Sequence, residues 1–223
     1  MTLGITGGIG SGKSYVSDIL RREFGIPVYD CDKEAKRLTA TDEEIRGKLV
    51  QLVGPEVFDG QVLNKKCLAD FLFADAENAS QVNAIIHPVV LKDCQRWTAS
   101  PVLHPTLTGG VNHPEASHPF SPPVRVGCRM GEALVCLESA ILFESGFNEY
   151  VDKVLFVDAP EEVRLQRAMQ RDTASREQVI ARMKMQQPEL HRSQADFVID
   201  NSTTNDTRLL EQLRAVLTTI QSN

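Results

Sequence analysis

The residues of this chain best suited to chemistry begin with Gly7-Gly8-Ile9-Gly10-Ser11-Gly12-Lys13-Ser14, which satisfies G-x-x-x-x-G-K-[ST] at every fixed position. Such a stretch makes an anion cradle. Its glycines let successive backbone N–H groups turn towards phosphate oxygens, and a following helix N-terminus adds positive potential. In that arrangement Lys13 would reach the β- and γ-phosphates and the Ser14 hydroxyl would ligate Mg²⁺. A second set is Asp30-Cys31-Asp32, two carboxylates closing a short apolar run. Open α/β sheets place their ligands at such strand ends, where a carboxylate can orient a hydroxyl and take its proton. If the strand continues, the two side chains point to opposite faces, and either residue is also a natural turn or helix cap. A third set is Arg164, Arg167 and Arg171, at i, i+3 and i+7 on one helix face, followed by Arg176 and Arg182. Arginines on a helix are commonly a solvated face; here they could instead neutralise charge on a phosphoryl group in flight.

Positioning these groups requires particular elements. Thr2-Leu3-Gly4-Ile5-Thr6 reads as a buried strand leading into the glycine stretch, and Val16, Ile19, Leu20 and Phe24 recur at helical spacing before Gly25. Ile26-Pro27-Val28-Tyr29 is a second strand. From about 32 to 97 the pattern gives helices and no strand: 33–38, 43–53 with Gly54 as C-cap, one capped by Asn64, one ending at His87, and another begun by Pro88 in its first turn. Residues 133–137 and 153–157 are apolar runs of the buried parallel-strand type. Asp158 is expected to cap a helix running to about Arg171, Ser175 to open the next, 197–199 to form the last strand, and Leu209, Leu213, Val216, Leu217 and Ile220 to stripe a final helix. Alternating strands and helices predict an α/β fold of three layers, with about five parallel strands and helices on both faces.

The segment 98–131 breaks the pattern. It holds six of the 11 prolines and three of the five histidines, with no helical or alternating period, and reads as a long loop inserted on the surface. His104, His113, His118 and Cys128 do not match a zinc spacing. Elsewhere composition is that of an ordinary globular chain. A net charge of -6 argues against general nucleic-acid or anionic-membrane binding, without bearing on a nucleotide held by local N–H groups. Five scattered cysteines without a C-x-x-C pair suit reduced thiols. With the phosphate stretch beginning at Gly7 and no long apolar run, the expectation is a cytoplasmic protein without signal peptide or membrane span.

Among phosphate-using proteins, a GTPase needs an N-K-x-D reader, and Asn64-Lys65-Lys66-Cys67 lacks the aspartate. A motor or transporter ATPase needs an apolar strand ending in Mg²⁺-binding and water-activating acids, to which Cys136-Leu137-Glu138 is only loosely similar. Small size, a helical segment after the second strand and arginines before the last strand favour a small-molecule kinase with a closing lid that excludes water. A nucleoside or sugar kinase, or a nucleotide sensor without catalysis, shares part of this pattern.

The ordered motifs resemble the dephospho-coenzyme A kinase family over nearly the whole chain outside 98–131. The phosphate stretch from Thr6 to Ser14, Asp30-Cys31-Asp32, Ile85-Ile86-His87-Pro88, Leu142-Phe143-Glu144, the series Arg167, Arg171, Arg182 and Gln186, and Ala195-Asp196-Phe197-Val198-Ile199-Asp200-Asn201 each stand where that family has a motif. The resemblance implies one kinase domain over 1–223, with a helical substrate-binding region at about 32–97 and a lid at about 164–190. It implies phosphorylation of the ribose 3′-hydroxyl of dephospho-CoA by ATP with Mg²⁺, by a monomer or weak homo-oligomer. Asp32 would be the base, Lys13 and Arg171 catalytic cations, and Gly8, Ile9, Gly10, Ser11, Gly12, Lys13, Ser14, Tyr15, Arg167 and Asn201 nucleotide contacts. Asp30, Asp32, Lys36, His87 and Glu144 would face the acceptor, with Asp30 a neighbour of either the substrate or Mg²⁺. Departures from the family pattern are Tyr15 for threonine, Lys65 and Lys36 where arginine is common, and Glu138 and Ala140 for aspartate and proline. A lysine at 36 offers a point charge in place of a bidentate fork.

Overall fold

A computed structural model describes residues 1–99, 134–203 and 205–222. The chain divides into two compact units, residues 1–28 with 99–223, and Tyr29–Thr98.

In the first unit, β1 (Thr2–Thr6), β5 (Val135–Glu138), β6 (Lys153–Asp158) and β7 (Phe197–Asp200) build a parallel sheet. With β2 (Val28–Asp30) at its edge the order is β2-β5-β1-β6-β7. Central β1 pairs Leu3 with Cys136 on one side and Lys153 on the other, so both its edges are hydrogen-bonded. Strands buried on both faces must be apolar throughout, which is why 135–137 and 154–157 carry no internal polar alternation. On one face α1 (Lys13–Phe24) and α9 (Asp206–Ser222) lay Val16, Ile19, Leu20, Leu209, Leu213, Val216 and Leu217 onto Leu3, Ile5, Leu155, Val157 and Ile199. Each such fully buried aliphatic side chain contributes about 1.5–3 kcal/mol. On the other face a Cβ at Gly4 would meet Leu142 and Val151, so that strand position admits no side chain without a shift. The left-handed Gly25 ends α1 with a bond from its N–H to Leu20 O, as its sequence position suggests.

The helices α6 (Glu161–Asp172) and α7 (Arg176–Lys184) share a small core of Leu165, Ala168, Val179 and Met183. Ser175 opens α7 through a reciprocal capping box with Gln178. Asp158, expected to cap α6, does not: the N-cap is Pro160 without a side-chain bond, and Asp158 ends β6 paired with Arg192 at 3.0 Å. A short helix that the sequence pattern does not announce, α8 (Pro188–Ser193), follows with proline in its first turn.

The second unit is largely helical: α2 (Cys31–Thr41), α3 (Glu43–Val53), α4 (Lys65–Ala74) and α5 (Ala76–Thr98). Asn64 caps α4 by accepting from Cys67 N–H at 3.1 Å, as predicted. Two expectations fail here. Pro88 does not start a new helix but lies inside α5, and burial of Val82, Val89, Val90 and Cys94 offsets the hydrogen bond that proline removes. A two-residue hairpin, β3 (Phe58–Asp59) and β4 (Val62–Leu63), interrupts the helices; strands so short show no alternation to read. Arg46 lies 4.5 Å from the Phe58 ring centre and holds the hairpin against α3.

The segment 100–133, with His104, His113, His118 and Cys128, lies outside the described residues. Among the described residues Cys31, Cys67, Cys94 and Cys136 are free thiols, no metal-holding cluster of His, Cys, Asp and Glu occurs, and no helix is long and apolar enough to cross a membrane.

Candidate active site

The phosphate stretch lies between the end of β1 and the start of α1, and its shape is held by neighbours on all sides. Gly10 and Gly12 have φ of 77° and 92°, left-handed values that disfavour any side chain. A Cβ on Gly10 would sit 2.0 Å from the Arg164 carbonyl oxygen, and one on Gly12 2.2 Å from Asn201 Nδ2. The loop thus packs backbone against α6 on one side and against the end of β7 on the other. Ser11 N–H donates to Gly8 O at 3.1 Å, which closes the turn. Asn201, 4% exposed, donates from Nδ2 to Ser11 O at 2.8 Å, and Arg167 Nη1 donates to Asn201 O at 2.8 Å. Lys13 Nζ donates to Gly7 O at 2.9 Å and Gly8 O at 3.2 Å, which arches the lysine back over the loop.

Ser14 Oγ donates to Glu138 Oε1 at 2.8 Å. Glu138 is buried at the C-terminal end of β5, beside β1. A hydroxyl and a buried carboxylate together are hard oxygen donors of the kind Mg²⁺ takes. The sequence pattern points to Ser14, but meets Glu138 only as a loose likeness to an ATPase's Mg²⁺-binding acid and as a departure from the family, and does not assign it to the site. The signal that could have found it is the apolar run Val135-Cys136-Leu137 ending in an acid.

Tyr15 turns its side chain to the start of α9. Its hydroxyl donates to Asp206 Oδ1 at 2.5 Å, and that bond raises the phenol above its ordinary range. Arg164 Nε donates to Ala159 O at 3.0 Å, with its guanidinium over Gly8. Arg171 does not share that placement: it and Arg182 both bind Asp172, at 2.7 and 2.8 Å. The two guanidiniums hold the Asp172 carboxyl down at about 2, Arg171 being the stronger influence. Arg176 pairs with Glu162. These five arginines thus divide in two, Arg164 and Arg167 at the loop and Arg171, Arg176 and Arg182 in carboxylate pairs on α6 and α7. A cleft of about 380 Å³ opens beside Gly8 at the ends of β6 and β7, lined by Asp158, Pro160, Arg164, Asp200 and Ser202.

Glu144, also of the first unit, is exposed and its Oε1 lies 3.6 Å from Nε2 of His191, whose ring stacks on Phe143. The remaining acceptor-side candidates belong to the second unit. The strand does not continue through Asp32: Asp30 is its last residue and the N-cap of α2, accepting from Lys33 N–H at 2.9 Å. Asp32 and Lys36 lie on α2, one turn apart. The alternation expected of Asp30 and Asp32 is therefore replaced by a cap and a first-turn acid. His87 is half-buried in α5, and burial pushes its imidazole below the usual range.

The sequence pattern of the family described as dephospho-CoA kinase matches residues 1–105 and 110–206. A dephospho-CoA kinase of Bacteroides fragilis strain YCH46 is 43% identical over 200 residues, covering 89% of this chain and 83% of the relative. One of Porphyromonas gingivalis is 38% identical over 224 residues, covering 100% and 95%. The crystal structure of a Thermus thermophilus protein, 33% identical, superposes with a TM-score of 0.72 over 98% of this chain and 96% of its own.

Proposed function

The chain belongs to the dephospho-CoA kinase family, whose members carry out the last step of coenzyme A biosynthesis, and we propose how its residues divide that work. ATP is the donor and the ribose 3′-hydroxyl of dephospho-CoA the acceptor. The observation that carries the reading is the phosphate loop itself, held open by Asn201, Arg164 and Gln186 with Lys13 arched across it.

The backbone N–H groups of residues 10 and 12–15 and Lys13 bind the donor phosphates, those of Ile9 and Ser11 being taken by Gln186 and Gly8 O, and Asn201 and Arg167 fix the loop and the nucleotide end of the site. Ser14 and Glu138 are the residues that would hold Mg²⁺, which when bound supplies positive charge to the β- and γ-phosphates. Asp32 takes the 3′-hydroxyl proton as the oxygen attacks phosphorus in line, a role worth about 10²–10⁴ in rate. Arg171 is the catalytic arginine of the lid, and for that role it exchanges Asp172 for the transferring phosphoryl group. Asp30, Lys36, His87 and Glu144 orient the acceptor. Phosphoryl transfer offers little covalent work to a protein, so positioning and charge stabilisation supply nearly all the catalysis. A cytoplasmic enzyme, monomeric or weakly self-associating, is part of the same reading.

The test is ADP release coupled to NADH oxidation, with dephospho-CoA set against a panel of nucleosides and sugars. Dephospho-CoA is expected to give the highest kcat/KM by orders of magnitude. Turnover on another acceptor with none on dephospho-CoA would overturn the assignment.

A further inference from the structure

Three consecutive residues of the phosphate loop touch the lid helices, and the middle contact is a hydrogen bond from the loop backbone to a side chain. A Cβ on Gly8 would lie 2.3 Å from Arg164 Nη1, and one on Gly10 2.0 Å from Arg164 O. Between them Ile9 packs its side chain on the core of Leu165, Ala168, Val179 and Met183. Its N–H donates to Gln186 Oε1 at 2.7 Å. Gln186 is itself set by the end of α7, because its own N–H donates to Met183 O at 3.1 Å. The lid core thus holds Ile9 from one side and, through Met183 and Gln186, takes the only backbone donor that Ile9 has.

We propose that Gln186 is a positioning residue for phosphoryl transfer. Its amide oxygen fixes Ile9, and with it the Gly8–Gly10 arch, onto the lid, so that the N–H groups of residues 10 and 12–15 and Lys13 stand in phosphate-binding places before nucleotide arrives. This rests on reading the loop as the ATP site. Gln186 touches no reacting atom. Its effect passes through the loop, because a neutral hydrogen bond contributes modestly to stability while a loop displaced by a fraction of an ångström binds phosphate poorly.

The experiment uses the full chain and two readouts, ATP affinity by isothermal titration calorimetry and steady-state kinetics with dephospho-CoA. Gln186→Leu is expected to weaken ATP binding about tenfold, the scale of one lost hydrogen bond. The KM for the acceptor should stay at its wild-type value. Gln186→Asn keeps the amide but withdraws its oxygen by a methylene, so it should lose the same tenfold even if the leucine variant fails to fold. Gln186→Glu retains an oxygen at full reach. At high salt, where its added charge is screened, it should stay within about threefold of wild type. A folded leucine or asparagine variant with wild-type ATP affinity overturns the proposal, as does a glutamate variant as weak as they are. A purely structural role would lower the melting temperature and leave ATP affinity unchanged. Should the wild type bind ATP yet fail to phosphorylate dephospho-CoA, the functional reading falls while the titrations still decide the role of Gln186.

Discussion

Gly10→Ala isolates the packing of the phosphate loop on α6. Residue 10 has φ 77°, and holding an alanine in the left-handed region costs about 1–2 kcal/mol. Its Cβ would start 2.0, 2.7 and 2.9 Å from the oxygen, carbon and Cα of Arg164, all backbone atoms of α6. Non-bonded heavy atoms settle at about 3.5 Å, so the loop or the helix must move by about 1.5 Å. Overpacking of that kind costs a further 1–3 kcal/mol or so. Together the loss of stability is about 2–5 kcal/mol. A displacement above 1 Å in the phosphate cradle should also lower kcat/KM for ATP by about 10²-fold. Urea denaturation measures the first quantity, and steady-state kinetics at saturating acceptor the second. A Gly10→Ala protein with the wild-type urea midpoint and a kcat/KM for ATP within threefold of wild type would show that the contact with Arg164 does not shape the loop.

Lys13→Ala should damage ATP binding and turnover together. Asp32→Asn should leave ATP affinity near wild type and lower kcat by about 10²–10⁴, as removal of a general base does; titration calorimetry and single-turnover kinetics separate the two, and undiminished turnover would remove Asp32 as base. Burial pushes the thiols of Cys94 and Cys136 up to about 12, so at pH 8 both should resist iodoacetamide in the native state while half-exposed Cys67 is labelled, as peptide mass spectrometry will read. His87 is held below its ordinary value of 6.5 by burial, so the folded state prefers it neutral. The stability it contributes is present above pH 6.5 and is lost as pH falls through the lowered native value. His87→Gln should therefore shrink the difference between urea midpoints at pH 7 and pH 5. Gly47 lies inside α3, where an added Cβ would meet nothing within 4 Å, so Gly47→Ala should stabilise the second unit by about 0.8–1 kcal/mol, read from the midpoint shift of its helical signal.

The division between what the sequence determined and what tertiary structure decided follows the range of the interactions. The strand before the phosphate loop, the loop, the cap at Asn64, the capping box at Ser175, the stop at Gly25 and the apolar stripe of the last helix all depend on residues within a few positions. Their periodicity and side-chain chemistry are therefore visible in the chain itself. The α/β order followed for the same reason, because buried parallel strands must be apolar without alternation. Local signals could not distinguish two uses of one residue. Asp30 closes a strand and caps a helix, and only the backbone turn at Cys31 selects the cap. Pro88 fits either a new first turn or a helix interior, and the burial of Val89, Val90 and Cys94 selects the interior. Helical spacing put Arg164, Arg167 and Arg171 on one face, yet Asp172, beside Arg171 in the chain, draws it into a carboxylate pair while the loop contacts go to Arg164 and Arg167. The contacts that shape the candidate site join residues 124, 177 and 190 positions apart: Ser14 with Glu138, Ile9 with Gln186, and Ser11 with Asn201. No period in the chain spans such distances. Packing of the sheet and of α6 and α7 brings those partners together, and the hydrogen bonds form because a loop of polar backbone pressed against its neighbours must have its donors and acceptors satisfied.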